Sequence, residues 1–169
     1  MVWKVALCCV ALALLTILVA WFFRSRTDDL VRAARYDDVA TVRRLLERGA
    51  AINGQERRMW LETALIAATH PNVSNTFYYL LESGADVNTP GRSDGVTPLM
   101  AALVWGDRNV EKVKALIDKG ADVNGRDRYG STVLDYAVAN TLAGKSVDLL
   151  KSKGAKRRAE NPLPARNHH

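Results

Sequence analysis

The chain has 169 residues, 48% of them hydrophobic and 25% charged, which allows one modest packed domain and excludes a wholly disordered chain. Its formal net charge of +6 favours an acidic partner or an anionic membrane surface and carries no information about fold. The only two cysteines, Cys8 and Cys9, are adjacent, which excludes a disulfide framework and a cysteine metal site.

The first predicted element is the uncharged run VALCCVALALLTILVAWFF at residues 5–23. As a helix it spans about 28 Å, close to the ~30 Å hydrocarbon core of a bilayer. Trp3 and Trp21 suit the two interfaces, and Arg24 and Arg26 end the run. Residues 1–26 are therefore read as an N-terminal transmembrane anchor and its flank. The alternative is cleavage near Ala20, giving a secreted or enzyme-accessory protein. Against it, Leu18 is a poor cleavage partner two positions earlier, and three more apolar residues follow Ala20. Arg24, Arg26, Arg32 and Arg35 follow the span against Lys4 before it, and the positive-inside rule then places the remaining chain on the cytoplasmic side. Lys4 acting as a signal-anchor flank would send it to the periplasmic or extracellular side.

Beyond the anchor one stretch recurs: GADVN at 84–88 and 120–124, GAAIN at 49–53 and GAK at 154–156. Its glycines, Gly49, Gly84, Gly120 and Gly154, are spaced 35, 36 and 34 residues apart, a period that signals stacked supersecondary units. Ahead of each glycine stand two apolar runs at helical spacing, such as ETALIAATH then TFYYLLESG, or TPLMAALVWG then VEKVKALIDKG. The pattern is helix, turn, helix, glycine, loop, four times over. The glycine ends a helix at positive φ, the alanine lets neighbouring units approach, and the Asp and Asn hold the turn through backbone bonds. The valine or isoleucine between them is expected to pack under the next unit.

These residues resemble the ankyrin repeat family. DGVTPLMAA with GADVN matches that family's signatures apart from a histidine, which is replaced by Ile66, Met100 and Asp135, and the match covers about residues 28–156. The resemblance implies an all-α solenoid of stacked helix-turn-helix units with β-hairpin loops, over residues 27–156 and about four repeats. It also implies a concave face, built from first helices and projecting finger loops, that binds other proteins. By register the fingers are 54–62, 89–96 and 125–131, the first without its usual glycine, and residues 157–169 form a basic tail expected to be disordered.

Carried onto this sequence, the resemblance places Trp60, Asp94 and Tyr129 at equivalent fingertips, flanked by Arg57, Arg58, Arg92, Arg126 and Arg128. First helices end at Arg35-Tyr36, His70-Pro71, Val104-Trp105 and Ala139-Asn140. The candidate protein-binding residues are Tyr36, Arg57, Arg58, Trp60, Arg92, Trp105, Arg128 and Tyr129, because Arg, Tyr and Trp dominate interface energetics. Their charge predicts an acidic partner surface.

Catalytic chemistry finds no constellation. The three histidines are His70, His168 and His169, with no metal-ligand spacing, so no metal or cofactor is expected. GRDRYGST at 125–132 lacks the lysine of a phosphate loop and falls in a finger. Nucleic acid is not expected, since no groove-reading helix or stacking platform is present. The reading is a membrane-tethered, non-catalytic module that scaffolds, regulates or inhibits a protein, with an immunity-type inhibitor of a toxic enzyme as its narrower alternative.

Overall fold

A computed structural model describes residues 26–56 and 61–160. The apolar run 5–23, the finger residues Arg57, Arg58 and Trp60, and the tail beyond Glu160 lie outside the described residues. Among the described residues, no helix is long and apolar enough to cross a membrane.

The described chain is helical in four successive pairs. Helix α1 covers residues 26–35 and α2 covers Val39–Glu47; α3 (Ala64–Ala67) precedes α4 (Asn75–Glu82). In the third unit α5 (Pro98–Leu103) leads through a 3-10 turn, Gly106–Asn109, into α6 (Val110–Asp118), and α7 (Val133–Ala139) with α8 (Gly144–Ser152) completes the series. Pair mates α3–α4, α5–α6 and α7–α8 touch each other, and like helices touch across units: α3 with α5, α5 with α7, α2 with α4, and α6 with α8. The result is an inner layer of first helices and an outer layer of second helices. Phe77, Leu80, Leu99, Met100, Leu103, Leu116, Leu134 and Leu150 are buried between them.

Local chemistry explains each boundary. Thr63, Thr97 and Thr132 sit in extended backbone before α3, α5 and α7, and their hydroxyls accept from the N–H of Ile66, Met100 and Asp135. Such caps satisfy one of the orphan donors at a helix start. Gly49, Gly84, Gly120 and Gly154 lie at φ 82°, 84°, 88° and 81°, the left-handed conformation a side chain would disfavour. The alanine after each glycine is buried, and its N–H donates to Leu45, Leu80, Leu116 or Leu150 O, at 3.0 Å in every case. This is the carbonyl-closing bond expected of a glycine-terminated helix.

The Asp–Asn pairs do more than hold their own turns. Asp86 Oδ1 accepts from Asn88 N, and Asp122 Oδ1 accepts from Asn124 N. The asparagines then reach the next unit. Asn53 Oδ1 accepts from Asp86 N, Asn88 Oδ1 from Asp122 N, and Asn124 Oδ1 from Lys156 N, at 2.8, 2.8 and 2.9 Å. Asn88 and Asn124 also donate to Gly120 O and Gly154 O. An asparagine ladder therefore stitches successive loops.

The inter-unit junctions differ from one another. Asp37, itself at φ 58°, accepts from Thr76 N (2.7 Å) and Asn75 Nδ2, capping α4 of the following unit. Asp107 accepts from Lys145 N, Ser146 N and Ser146 Oγ at the start of α8. Between these two, the register equivalent of Thr76 and Ser146 is Lys112. The residue is 5% exposed, and its ammonium donates back to Ala68 O, His70 O and Val73 O at 3.1, 2.6 and 2.6 Å. It also stands 5.1 Å from the Phe77 ring centre. Asn109, equally buried, donates to Thr69 O and Ala102 O.

Two expectations need correction. The fingers are not extended β-hairpins: among the described residues, single antiparallel bridges, Gln55 with Thr63 and Arg126 with Thr132, close the first and third. The reason is local in the second and third fingers, where turn-forming Gly and Asp fill the short loops, and several finger backbone bonds go sideways. Arg92 N donates to Leu61 O at 2.7 Å, and Arg128 N to Asp94 O at 2.8 Å. In addition, ordered packing continues past residue 156. Arg157 Nε and Arg158 N donate to the Asp135 carboxylate, and Glu160 N bonds Arg157 O.

Candidate protein-interaction face

The inner helices and fingers together frame the candidate face. Leu61 stands at φ 53°, where the equivalent finger positions Gly95 and Gly130 take φ 78° and 79°, so the first finger keeps the turn without its glycine. Gly95 is required for stacking as well as for its φ: an added Cβ would approach Arg128 N to 3.1 Å. Finger acids are consumed internally. Asp94 Oδ1 accepts from Val96 N, while Asp127 accepts from Tyr129 N, Ser131 N and Tyr136 Oη. Burial, with Asp127 as the second cause, raises the Tyr136 phenol above its ordinary value.

Two depressions mark this side. A groove of about 660 Å³ is lined by Val104, Ser131, Asp135, Tyr136, Asn140 and their neighbours, and joins the third finger to the ends of α5 and α7. A cleft of about 510 Å³ lies between fingers, walled by Leu61, Arg92, Ser93 and Arg128. The structure thus brings Arg92 and Arg128 together, with Arg128 Nη1 donating to Ser93 O. Tyr129 is 71% exposed beside them. Tyr36, 76% exposed, and Trp105, 38% exposed and set edge-on to His70 at 4.5 Å, lie instead at the ends of inner helices. Arg35 is already occupied. It binds Glu56 at 3.1 Å and Glu62 at 2.5 Å, and although its own desolvation opposes this, those carboxylates raise its pKa.

The groove residues Asp135 and Tyr136 were not among the candidates. A signal for Tyr136 exists: four residues after their threonines, the second and third units carry Ala67 and Ala101, and only the fourth carries a bulky ring. Asp135 serves structure first. It closes a capping box with Thr132, and although desolvation pushes its carboxyl up, bonds from Thr132 and Arg157 hold it below the usual range.

Comparison with known proteins gives this architecture its family. A family model described as ankyrin repeats (3 copies) matches residues 30–127 and 92–161. The chain belongs to the ankyrin repeat family. It is similar to mouse Rabankyrin-5, 36% identical over 91 residues, which are 47% of this chain and 8% of that protein. It is also similar to neurogenic locus notch homolog protein 1: 33% identical over 144 residues of the human protein (83% of this chain, 6% of that one) and 32% over 133 residues of the Xenopus laevis protein (79% and 5%). The chain spans less than a tenth of the length of these relatives. Ankyrin repeats are protein–protein interaction modules, and that is the class of this chain.

Proposed function

We propose that the chain is a membrane-tethered, non-catalytic ankyrin module that holds another protein near a bilayer as a scaffold, regulator or inhibitor. The observations that support this are the exposed aromatics Tyr36 and Trp105 at the ends of inner helices and Tyr129 on the third finger, together with the apolar-walled groove at Val104 and Tyr136. Rigid aromatic area beside a concave apolar surface is what a protein contact uses. Arg92 and Arg128 supply the charged end of the face; in sequence register Arg57, Arg58 and Trp60 extend it. An acidic surface at that end gives binding that weakens with salt.

The tether rests on the uncharged run 5–23, and its flanking arginines favour a cytoplasmic repeat domain. Holding the module at the membrane raises its effective concentration for partners there.

The test is capture of partners by the gently solubilised full-length protein, compared with Tyr36→Ala/Trp105→Ala after circular dichroism shows that the variant is folded. One protein enriched by the original and lost with the variant supports the reading, and its identity names the process. Unchanged capture by the variant overturns the face.

A further inference from the structure

The stack has two chemically distinct edges, and the chain enters at one of them. Each inner helix α3, α5 and α7 begins directly after a finger, at Thr63, Thr97 and Thr132. The first described residues of α1 lie on the same edge. Thr27 packs at the root of the first finger, where a Cβ added to Gly54 would meet Thr27 Cγ2 at 2.5 Å, and Arg26 donates to Arg48 O at the end of the first outer helix. The opposite edge, about 15 Å away along a ten-residue helix, carries Tyr36, the His70–Trp105 pair and Leu142.

Exposed cations distinguish the finger edge. The far-edge loops hold three aspartates, Asp37, Asp38 and Asp107, each bonded to a helix start, with Arg108 and Lys145 beside them. On the finger edge Asp94 and Asp127 are turned to finger backbone, Asp86 and Asp122 to their own turns, Glu56 and Glu62 to Arg35, and Asp29, in the first turn of α1, to Arg32. Arg92, Arg128, Lys156 and Arg158 remain at the surface. Lys156 extends the row of fingers because its N–H takes the ladder bond from Asn124 that Asp122 takes from Asn88.

We infer that the finger edge lies against the bilayer, and that the acidic surface met by Arg92 and Arg128 is the anionic lipid headgroups. The inference rests on the tether reading of residues 5–23. Two residues, Arg24 and Ser25, separate the apolar run from the start of the described helix, a reach of at most about 10 Å. A linker that short keeps the start of α1 at a distance comparable with the Debye length of about 8 Å over which the headgroup field falls off. The aromatic far edge then faces away from the membrane, towards protein.

The test uses full-length protein with Cys8→Ser and Cys9→Ser. A single environment-sensitive label is placed at Tyr129→Cys or at Leu142→Cys, and the chain is reconstituted in nanodiscs carrying nitroxide on the lipid headgroups. In discs with roughly one-third phosphatidylserine, quenching at 129 is expected to exceed that at 142 by about twofold or more. It should fall with Arg92→Ala/Arg128→Ala and persist with Arg92→Lys/Arg128→Lys, because headgroups read charge whereas a paired protein carboxylate reads the guanidinium fork. Equal or stronger quenching at 142 overturns the inference. So does quenching at 129 that ignores both phosphatidylserine and the alanine pair, which would leave the finger arginines to a protein partner. Release of the unlabelled protein from vesicles by alkaline carbonate would be a different failure, that of the tether and with it of this orientation.

Discussion

The first and third units each lend a carboxylate forward to the next unit, whereas the second unit receives an ammonium from the unit that follows it. Asp37 and Asp107 cap the starts of α4 and α8; Lys112 fills the carbonyls that follow α3. The difference teaches that one repeat geometry accepts either charge sign between units, provided the charged group itself meets partners; Thr76 Oγ1 and Asn109 Oδ1, at the same junctions, are buried without one among the described residues. The carboxylates sit at helix N-termini, where the macrodipole favours them, and the ammonium sits where backbone oxygens converge.

The largest way to break this comparison is Lys112→Ala. It removes the donor to Ala68 O and Val73 O, leaves His70 O with only the Val73 N–H and opens a void beside Phe77, and should cost about 3–5 kcal/mol in denaturant unfolding, as truncation of a large buried side chain with loss of its hydrogen bonds does. A loss under about 1 kcal/mol would mean that water replaces the ammonium freely.

Next comes pH. Burial pushes the Lys112 ammonium down to about 8 from 10.5, against a smaller upward pull from Asp37. Above pH 8 the unfolded chain therefore binds more protons than the folded one, and stability rises with pH. The expected signature is a rise between pH 8 and 10 that Lys112→Met flattens, followed by opposition from Tyr136 above pH 10. For the flanking carboxylates the sign reverses at the other end of the scale. Desolvation lifts Asp37, but bonds from Thr76 and Asn75 outweigh it; for Asp107 the bond from Lys145 N leads, followed by desolvation and then Ser146. Both end below 3.8, so their contribution is full above that value and is lost as pH falls through the lowered ones. A scan that is flat from pH 8 to 10 in the original protein would remove the charged-lysine account.

The smallest effect is that of Asp107→Ala. Loss of an N-terminal cap should lower the denaturant midpoint by less than Lys112→Ala does, without a change in slope. A cost equal to that of Lys112→Ala would erase the distinction between the junctions.

Much of this was legible in the chain. Gly49, Gly84, Gly120 and Gly154 announced their positive φ because one loop must be rebuilt at every step, and the Asn of DVN was visible as a turn former. Its reach into the next unit was not, because local spacing says nothing about neighbours 34 residues away. Lys112 was hidden for a related reason: VEKVKALIDK reads as an amphipathic helix with solvated lysines. Only its alignment with Thr76 and Ser146, small polar residues facing a neighbour, betrays the position. On the candidate face, Tyr129 and the Arg92–Arg128 cleft followed from finger register. Arg35 did not, because its carboxylates arrive from a finger 21 and 27 residues later.

The asparagine ladder has a consequence for how such a chain can change length. Asn88 and Asn124 offer the same two contacts, so excision of residues 89–124 would let Asn88 take over Lys156 N and Gly154 O, and the seam would close. The junctions would not permit the splice. Ser146 would then face the second unit, which has Asn72 and Val73 where the third has Asp107, and the carbonyls of Ala68, His70 and Val73 would have no cation. Loops of this protein are interchangeable parts, while the charges between units act as keys that fix their order.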